Sequence, residues 1–220
     1  MHELTLVFSH PDFYVLNKPA GAPMHANEQQ ASVVHQLGQQ LQQQLWPVHR
    51  LDTPTSGALL VARNQAAAAT LSGLFAERQI HKYYLAVAAG KPSKKQGLIC
   101  GDMDKVRRGN WRLLRTQNNP ARTRFISHAL KPGYRYYVLK PSTGKTHQLR
   151  VALKSLGTPI CGDQRYGGEA AQHLHLHLHA WQLQFCYQQQ QFSITAPWPE
   201  YEHFLDLPPQ PDLGLLISAT

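Results

Sequence analysis

The chain has 220 residues, of which 42% are hydrophobic, and its formal net charge is +9. This length suits one domain with a substantial core, no apolar run is long enough to cross a membrane, and the N-terminus lacks a signal-peptide pattern. The three cysteines are odd in number and widely spaced, which predicts reduced thiols in a cytoplasmic protein and no disulfide framework.

The positive charge is concentrated in one segment. Residues 105–162 contain 13 Lys and Arg and no Asp or Glu, whereas acidic residues outnumber basic ones in the rest of the chain. Such segregation predicts a polyanionic partner bound in a salt-dependent way. The alternative is a solvated basic face without a partner.

The first elements are predicted to be short strands and two helices. Residues 4–8 and 13–16 have strand character around a His-Pro-Asp turn. Apolar residues at every fourth position predict an amphipathic helix from Ser32, a candidate N-cap, to Leu45. Residues 59–62 predict a buried strand, and residues 65–77 predict an Ala-rich helix.

The second half is richer in strands. Residues 91–120 are rich in Gly, Lys, Arg and Asn and predict a projecting basic hairpin. A helix is predicted over residues 147–155, with Gly157 just past its end. Strand candidates lie at 83–89, 122–129, 134–139, 181–185 and 192–195. Strands outnumber helices without strict alternation, so we expect an α+β fold with a mixed, largely antiparallel central sheet and flanking helices.

One motif places a carboxylate where a scaffold can hold it. In His49-Arg50-Leu51-Asp52-Thr53-Pro54-Thr55-Ser56-Gly57, Asp52 lies in a turn directly before a buried strand. Local chemistry alone favours the simpler explanation, an Asp that caps its own backbone.

The motif resembles the catalytic motif of the RluA-type RNA pseudouridine synthases. Other segments resemble further motifs of that family: Asn17–His25, Lys82–Val87, Thr143–Arg150 with Gly162-Asp163 and Tyr166-Gly167, and Leu178–Ala180. The resemblance implies the pseudouridine synthase fold. It also implies a catalytic domain over residues 1–205, in which the basic hairpin at about 91–120 is an insertion. The proline-rich run Pro208-Pro209-Gln210-Pro211 predicts that residues 206–220 form a loose C-terminal tail.

The resemblance implies that specific uridines in structured RNA, a tRNA or rRNA stem-loop, are isomerised to pseudouridine. The target base is flipped out, its bond from N1 to ribose C1′ breaks, the base turns, and a bond from C5 to C1′ forms. No group is added or lost, so we expect neither a metal nor an organic cofactor. We also expect a monomer in the cytoplasm without membrane association.

Three residues match the catalytic positions of the family. Asp52 is the carboxylate, and Arg150 matches the arginine that pairs with it, holds it ionised and orients it. Tyr84 matches the tyrosine that stacks on the target base and is a candidate base for the proton at C5. Alternation along a strand then directs the neighbouring Tyr83 to the opposite face, into the core.

Further residues are expected to contact RNA. Arg50 matches an arginine that intercalates between bases, and Leu149 matches a residue that packs on the flipped base. His49 is expected either to contact phosphate or to support the turn. The basic hairpin is expected to clamp the RNA backbone and to offer a stacking surface, through Lys105, Arg107, Arg108, Arg112, Arg115 and Trp111.

Three alternatives remain from the sequence. The first is an RNA-binding or chaperone protein on the same fold, with secondary or lost catalysis. The second is a hydrolase with a second carboxylate from Asp102, Asp104 or Asp163, although Asp163 suits a turn better. The third is a zinc hydrolase on His173–His179, whose period of two would place four imidazoles on one exposed strand face. We expect no metal there, because carboxylates or cysteines at ligand spacing are missing nearby.

Overall fold

The computed structural model describes residues 3–26, 30–167 and 172–216. Contacts divide the chain into two compact units: Met1–Lys82 with His179–Trp198, here unit 1, and Tyr83–Leu178 with Pro199–Thr220, here unit 2. The described residues form twelve strands and three α-helices. They are β1 (Leu6–Ser9), β2 (Phe13–Lys18), α1 (Val33–Gln40), β3 (Trp46–Pro47), β4 (Ser56–Ala62), α2 (Gln65–Ala76), β5 (His81–Ala89), β6 (Gln96–Gly101), β7 (Met103–Lys105), β8 (Trp111–Leu113), β9 (Ala121–Lys131), β10 (Tyr134–Pro141), α3 (Gln148–Ser155), β11 (Leu178–Tyr187) and β12 (Gln190–Thr195).

Unit 1 is built on strands in the order β1-β2-β4-β11, with β12 beside β11 and β3 beside β4. Every residue of β4 is buried, and its apolar side chains pack with those of β2, α2 and the hairpin of β11 and β12. The β4–β11 pair is parallel and the other described pairs are antiparallel. This mixed, largely antiparallel pairing confirms the predicted α+β class.

Gly57 permits the close approach of β4 and β11. Its φ is +110°, and a Cβ at this position would lie 2.2 Å from the carbonyl oxygen of Ala180. Any side chain here would therefore push β11 away. The glycine that ends the Asp52 motif thus joins the Asp52 turn directly to a paired, buried strand.

Helix α1 is shorter than the sequence predicted. Ser32 caps it as expected, since its hydroxyl accepts a hydrogen bond from the backbone N–H of His35. The helix ends at Gln40 rather than Leu45. Gln42 adopts φ +51°, and the N–H groups of Gln42 and Gln43 donate to the carbonyls of Gln39 and Gly38. These are the two bonds of a Schellman motif, which stops the helix despite the continuing apolar spacing.

Unit 2 contains the strand order β5-β10-β9-β6, in which the described pairs are antiparallel, and α3 packs on it. The predicted end of α3 is confirmed, because Gly157 has φ +78° and Thr158 donates to the carbonyl of Leu153. The core includes Phe125, Tyr137 and Leu153.

The basic segment differs from the predicted long hairpin. Residues 96–101 pair with β9 as strand β6, so they belong to the main body of unit 2. Only β7 and β8 form a separate two-stranded hairpin, which turns through Arg107–Gly109. The sequence did not reveal β6, because polar and glycine residues interrupt its apolar pattern.

The histidine-rich segment is not the predicted exposed strand. Residues 173–177 form bends and extended chain, and β11 starts only at Leu178. His177 and His179 are fully buried, whereas His173 and His175 are half-buried. The four imidazoles therefore do not share one face.

The last described residues differ from the loose tail that the sequence predicted. Leu207 and Leu216 are buried, and Lys140 Nζ donates 3.2 Å to the carbonyl of Leu216. The segment therefore packs on unit 2. Among the described residues, no helix has the length and apolar character needed to cross a membrane.

Candidate active site

The Asp52 turn is fixed by its own backbone. The N–H of Thr55 donates 3.0 Å to the carbonyl of Asp52, which closes the turn around Pro54. Leu51, Thr55 and Ser56 are buried on either side, and Asp52 itself is half-buried. The carboxylate therefore projects from a backbone that cannot readily change its path.

A buried lysine supports this turn from below. Lys18 has no exposed surface, and its ammonium donates three hydrogen bonds, to the carbonyls of Pro19 (3.0 Å), Ala22 (2.8 Å) and Thr53 (2.9 Å). Burial lowers the pKa of Lys18 to about 7, and the charge of Asp52 acts in the opposite direction. The sequence reasoning missed Lys18, because its acceptors lie in loops and only the fold brings the Thr53 carbonyl, 35 residues away, to the ammonium.

A second set of contacts anchors the strand after the turn. Ser56 Oγ lies 2.9 Å from His179 Nδ1, and His179 Nε2 lies 3.2 Å from the carbonyl of Ala196. Burial lowers the pKa of His179 to about 4, so the ring is neutral at physiological pH. His179, which matches a late family motif, therefore links β4 to β11 and the segment after β12.

His49 and Arg50 have different surroundings. The Nε2 of His49 accepts a 2.9 Å hydrogen bond from the N–H of Leu60, and the ring stacks on Phe75 at 4.3 Å. Burial, together with the charge of Lys82, lowers the pKa of His49 to about 3. Of the two roles left open for His49, support of the turn fits these contacts. Arg50 is exposed.

The paired tyrosines of β5 are divided between core and surface. Tyr83 is buried, burial raises its pKa, and Lys140 Nζ lies 5.5 Å from its ring centre. Tyr84 is half-buried and packs at the margin of the unit 2 core. The predicted assignment of Tyr83 to the core is confirmed.

Leu149 is 8% exposed and packs in the unit 2 core cluster that Tyr84 borders.

Arg150 forms a buried bidentate ion pair with Asp163. Its Nε and Nη2 donate to Asp163 Oδ2 and Oδ1 at 2.8 and 2.7 Å. Asp163 Oδ1 also accepts from the N–H groups of Arg165 and Tyr166, at 3.0 Å each. Asp163 thus has the turn role that the sequence favoured and orients Arg150 as well. This orienting contact was not predicted.

The β7–β8 hairpin is anchored by the residues that follow Asp163. Tyr166 Oη accepts 3.0 Å from the N–H of Trp111 and lies 2.8 Å from His147 Nδ1. Arg165 donates to the carbonyl of Arg108 at 2.8 Å. These anchors hold the hairpin over the N-terminal end of α3.

The predicted phosphate-binding side chains lie on the outside of this region. Lys105, Arg107, Arg108, Arg112 and Arg115 are all exposed, and Trp111 is half-buried. Arg112 donates twice to the Asp104 carboxylate, at 3.1 and 2.8 Å. A cavity of about 380 Å³ lies beside the hairpin, lined by residues that include Trp111, Asn118, Asn119 and Lys145.

The carboxylates considered for a hydrolase have structural partners. Asp102 accepts from the N–H groups of Asn118 and Asn119 at 3.0 and 2.7 Å, and hydrogen bonds, the largest from Thr116, lower its pKa. Asp104 pairs with Arg112 and Asp163 with Arg150. These contacts match turn and ion-pair roles, not a carboxylate held to activate water.

Comparison with known proteins identifies the class of protein. The sequence model of the RNA pseudouridylate synthase family matches residues 12–155. An uncharacterized RNA pseudouridine synthase of Haemophilus influenzae is 48% identical over 195 residues, which cover 88% of this chain and 87% of that protein. The dual-specificity RNA pseudouridine synthase RluA of Escherichia coli is 35% identical over 175 residues, or 76% and 79% of the two chains.

A solved structure agrees with the sequence comparisons. Human RNA pseudouridylate synthase domain containing 1 matches with a TM-score of 0.77 and 30% identity, covering 90% of this chain and 84% of that one. The fold and the motifs thus define an RNA-modifying isomerase. The chain belongs to the RNA pseudouridylate synthase family, as the motif around Asp52 predicted.

Proposed function

We propose that this protein isomerises specific uridines in a structured RNA, a tRNA or rRNA stem-loop, with Asp52 as the catalytic carboxylate. One observation carries this proposal. Asp52 is half-buried and lies in a turn that buried Lys18 fixes by a hydrogen bond to the carbonyl of Thr53. The chain that carries this turn belongs to the pseudouridine synthase family. A fixed carboxylate is what attack on a flipped nucleoside requires, because misplacement of the reacting atom slows the step.

The reaction conserves every atom of the uridine. The bond between ribose C1′ and base N1 breaks while Asp52 stabilises or attacks the electron-poor centre. The base turns, C5 bonds to C1′, and the proton lost from C5 is balanced by the proton gained at N1. No oxidant, metal or organic cofactor enters this balance.

The other roles follow the residues that match the family. Tyr84 stacks on the target base, Leu149 contacts that base, and Arg150, oriented by Asp163, supplies positive charge. Arg50, exposed beside the turn, enters the RNA stack and holds open the gap that the flipped base leaves.

The hairpin would supply much of the RNA affinity. The exposed cations Lys105, Arg107 and Arg108 lie near its turn, and the 380 Å³ cavity adjoins Trp111. Phosphates of a stem-loop would bind the cations, and an unpaired base would stack on the indole. We further propose that the protein acts as a monomer in the cytoplasm.

The test is a map of pseudouridine in total RNA from cells with the gene intact, deleted, or carrying Asp52→Asn. We expect the same sites to be lost with deletion and with Asp52→Asn, while purified Asp52→Asn still binds the RNA. The control is Glu77→Gln, an exposed carboxylate just past α2 in the same unit, which should leave the map unchanged.

The alternatives give different results. An RNA-binding or chaperone protein without catalysis predicts identical pseudouridine maps with and without the gene. A hydrolase predicts free uracil and abasic sites instead of pseudouridine.

The role of Arg50 is tested by Arg50→Ala. The rate of single-turnover isomerisation should fall by a larger factor than RNA affinity; a uniform loss of affinity would contradict the intercalating role.

A further inference from the structure

We propose that Cys161, His173 and His203 form a binding site for a divalent transition-metal ion, best matched by Zn²⁺. Among the residues that the structure describes, these three offer one ligand atom each, and the three atoms lie within 4.8 Å of one another. Thiolate and imidazole are the ligands that zinc prefers. The site belongs to unit 2 and is separate from the proposed isomerase chemistry.

The fold brings the three residues together from distant positions. Cys161 is fully buried, with its N–H bound to the carbonyl of Val87 and its carbonyl bound by the N–H of His177. Gly162, with φ +73°, allows the histidine-rich segment to cross directly over it, because a Cβ there would lie 1.8 Å from the carbonyl oxygen of His175. This crossing places His173 above the thiol.

His203 supplies the independent indication of a ligand. It is only 9% exposed, and both its ring nitrogens are buried without a hydrogen-bond partner among the described residues. The Asp206 carboxylate lies 3.7 Å from Nδ1, which is too long for a hydrogen bond. A buried imidazole with two unsatisfied nitrogens is costly, and a metal ion would bind one of them.

Glu202 contacts one ring nitrogen of His173 and leaves the other for a metal ion. Its Oε2 lies 2.8 Å from Nδ1 of His173, which directs Nε2 of that ring away from the carboxylate. Metal-binding histidines commonly carry such a carboxylate on the second nitrogen. The neighbouring cation Lys131 forms an ion pair with Asp206.

Metal binding requires only a modest contraction of the cluster. Tetrahedral zinc would bring ligand atoms to about 3.3 to 3.6 Å from one another, so side chains must shift by roughly an ångström. His173 is half-buried in an irregular segment and can make this shift. Zinc would then fasten residues 172–177 and 201–204 to the Cys161 turn, which gives it a stabilising role.

The test uses full-length protein without an affinity tag, stripped with chelator and titrated with Co²⁺. We expect a saturable single site with a thiolate-to-cobalt band in the near ultraviolet. Cys161→Ser should abolish the band, His173→Ala should abolish tight binding, and Glu202→Gln should weaken affinity about 10- to 100-fold. Zn²⁺ should raise the unfolding temperature of wild type but not of His173→Ala.

His175→Ala is the matched control, since His175 lies in the same segment outside the cluster; it should leave the cobalt spectrum and affinity unchanged. Absence of the thiolate band in folded wild type would overturn the proposal. So would Co²⁺ binding that survives His173→Ala or that is lost in His175→Ala, which would indicate general binding by a histidine-rich surface. If Cys161→Ser does not fold, the variants at half-buried His173 and exposed Glu202, His173→Ala and Glu202→Gln, decide. Pseudouridine formation by the stripped protein tests the isomerase separately.

Discussion

Lys18 donates a 2.9 Å hydrogen bond to the carbonyl of Thr53, the residue directly after the candidate nucleophile Asp52. The same ammonium binds the carbonyls of Pro19 and Ala22, so its three donors are all used. One buried ammonium thus joins two loops, and the charge of Asp52 favours its protonated form. This arrangement makes Lys18 a positioning residue for the proposed reaction.

Replacing Lys18 by Met should keep the volume but remove the charge and leave three buried carbonyls without their donor. We expect a loss of about 2 to 4 kcal/mol in the free energy of unfolding and, because the Asp52 turn loosens, a fall in turnover of about 100-fold. Urea denaturation and single-turnover kinetics measure the two effects. Lys94→Met, at an exposed lysine, should change neither. Full activity in folded Lys18→Met would exclude the positioning role.

Lys18 should also make stability depend on pH. Its pKa is about 7 in the folded chain against 10.5 for an ordinary lysine. Between these values the unfolded chain holds a proton that the folded chain has released, so stability rises with pH, by up to about 1.4 kcal/mol per pH unit. The difference in unfolding free energy between wild type and Lys18→Met should therefore increase from about pH 7 to pH 9. A constant or shrinking difference would show that Lys18 stays protonated.

His49 should stabilise the fold and should not contribute a positive charge to RNA binding. With a pKa of about 3 the ring is neutral near pH 7, and its Nε2 accepts from Leu60. His49→Ala leaves that N–H unpaired and removes the stack on Phe75, so we expect about 1 to 3 kcal/mol of destabilisation. The dependence of RNA affinity on salt should not change. A reduced salt dependence would instead indicate a phosphate contact.

The predictable part of this protein was its local chemistry. The Ser32 cap, the αL glycine after α3 and the opposed faces of Tyr83 and Tyr84 depend on neighbouring residues, and the structure confirms them. The end of α1 was missed because a glutamine adopts the left-handed conformation where glycine is usual. Partners distant in sequence were also missed, as in the 35-residue separation of Lys18 and Thr53. The alternating histidines of residues 173–179 wrongly predicted an exposed strand, again because the deciding partners are distant in sequence. His177 contacts Cys161 and Glu202.

The basic hairpin should control the salt dependence of RNA binding. Replacing Arg107 by Gln and Arg108 by Asn removes two exposed charges, and Asn tolerates the left-handed φ of +59° at residue 108. The slope of log affinity against log salt should fall by about 1.5. Arg78→Asn is a close control, because Arg78 is also exposed and has φ +61°, but lies in unit 1. An unchanged slope in the double variant would mean that the hairpin does not meet phosphate.

Unit 2 contains two Arg–Asp ion pairs, one buried and one exposed. Because the residue types are the same, comparing them measures how burial changes the contribution of an ion pair to stability. Arg150–Asp163 is buried, with side-chain exposures of 6% and 0%, whereas Arg112–Asp104 has exposures of 62% and 43%. Asp163→Asn should cost about 3 to 5 kcal/mol, because Arg150 keeps its charge without its partner. Asp104→Asn should cost at most about 1 kcal/mol. Unfolding of both variants in urea provides the comparison.

Asp163 also accepts hydrogen bonds from the N–H groups of Arg165 and Tyr166, so Asp163→Asn should loosen the hairpin and weaken RNA binding. Similar small losses for both variants would show that Asp163 does not hold Arg150 in place.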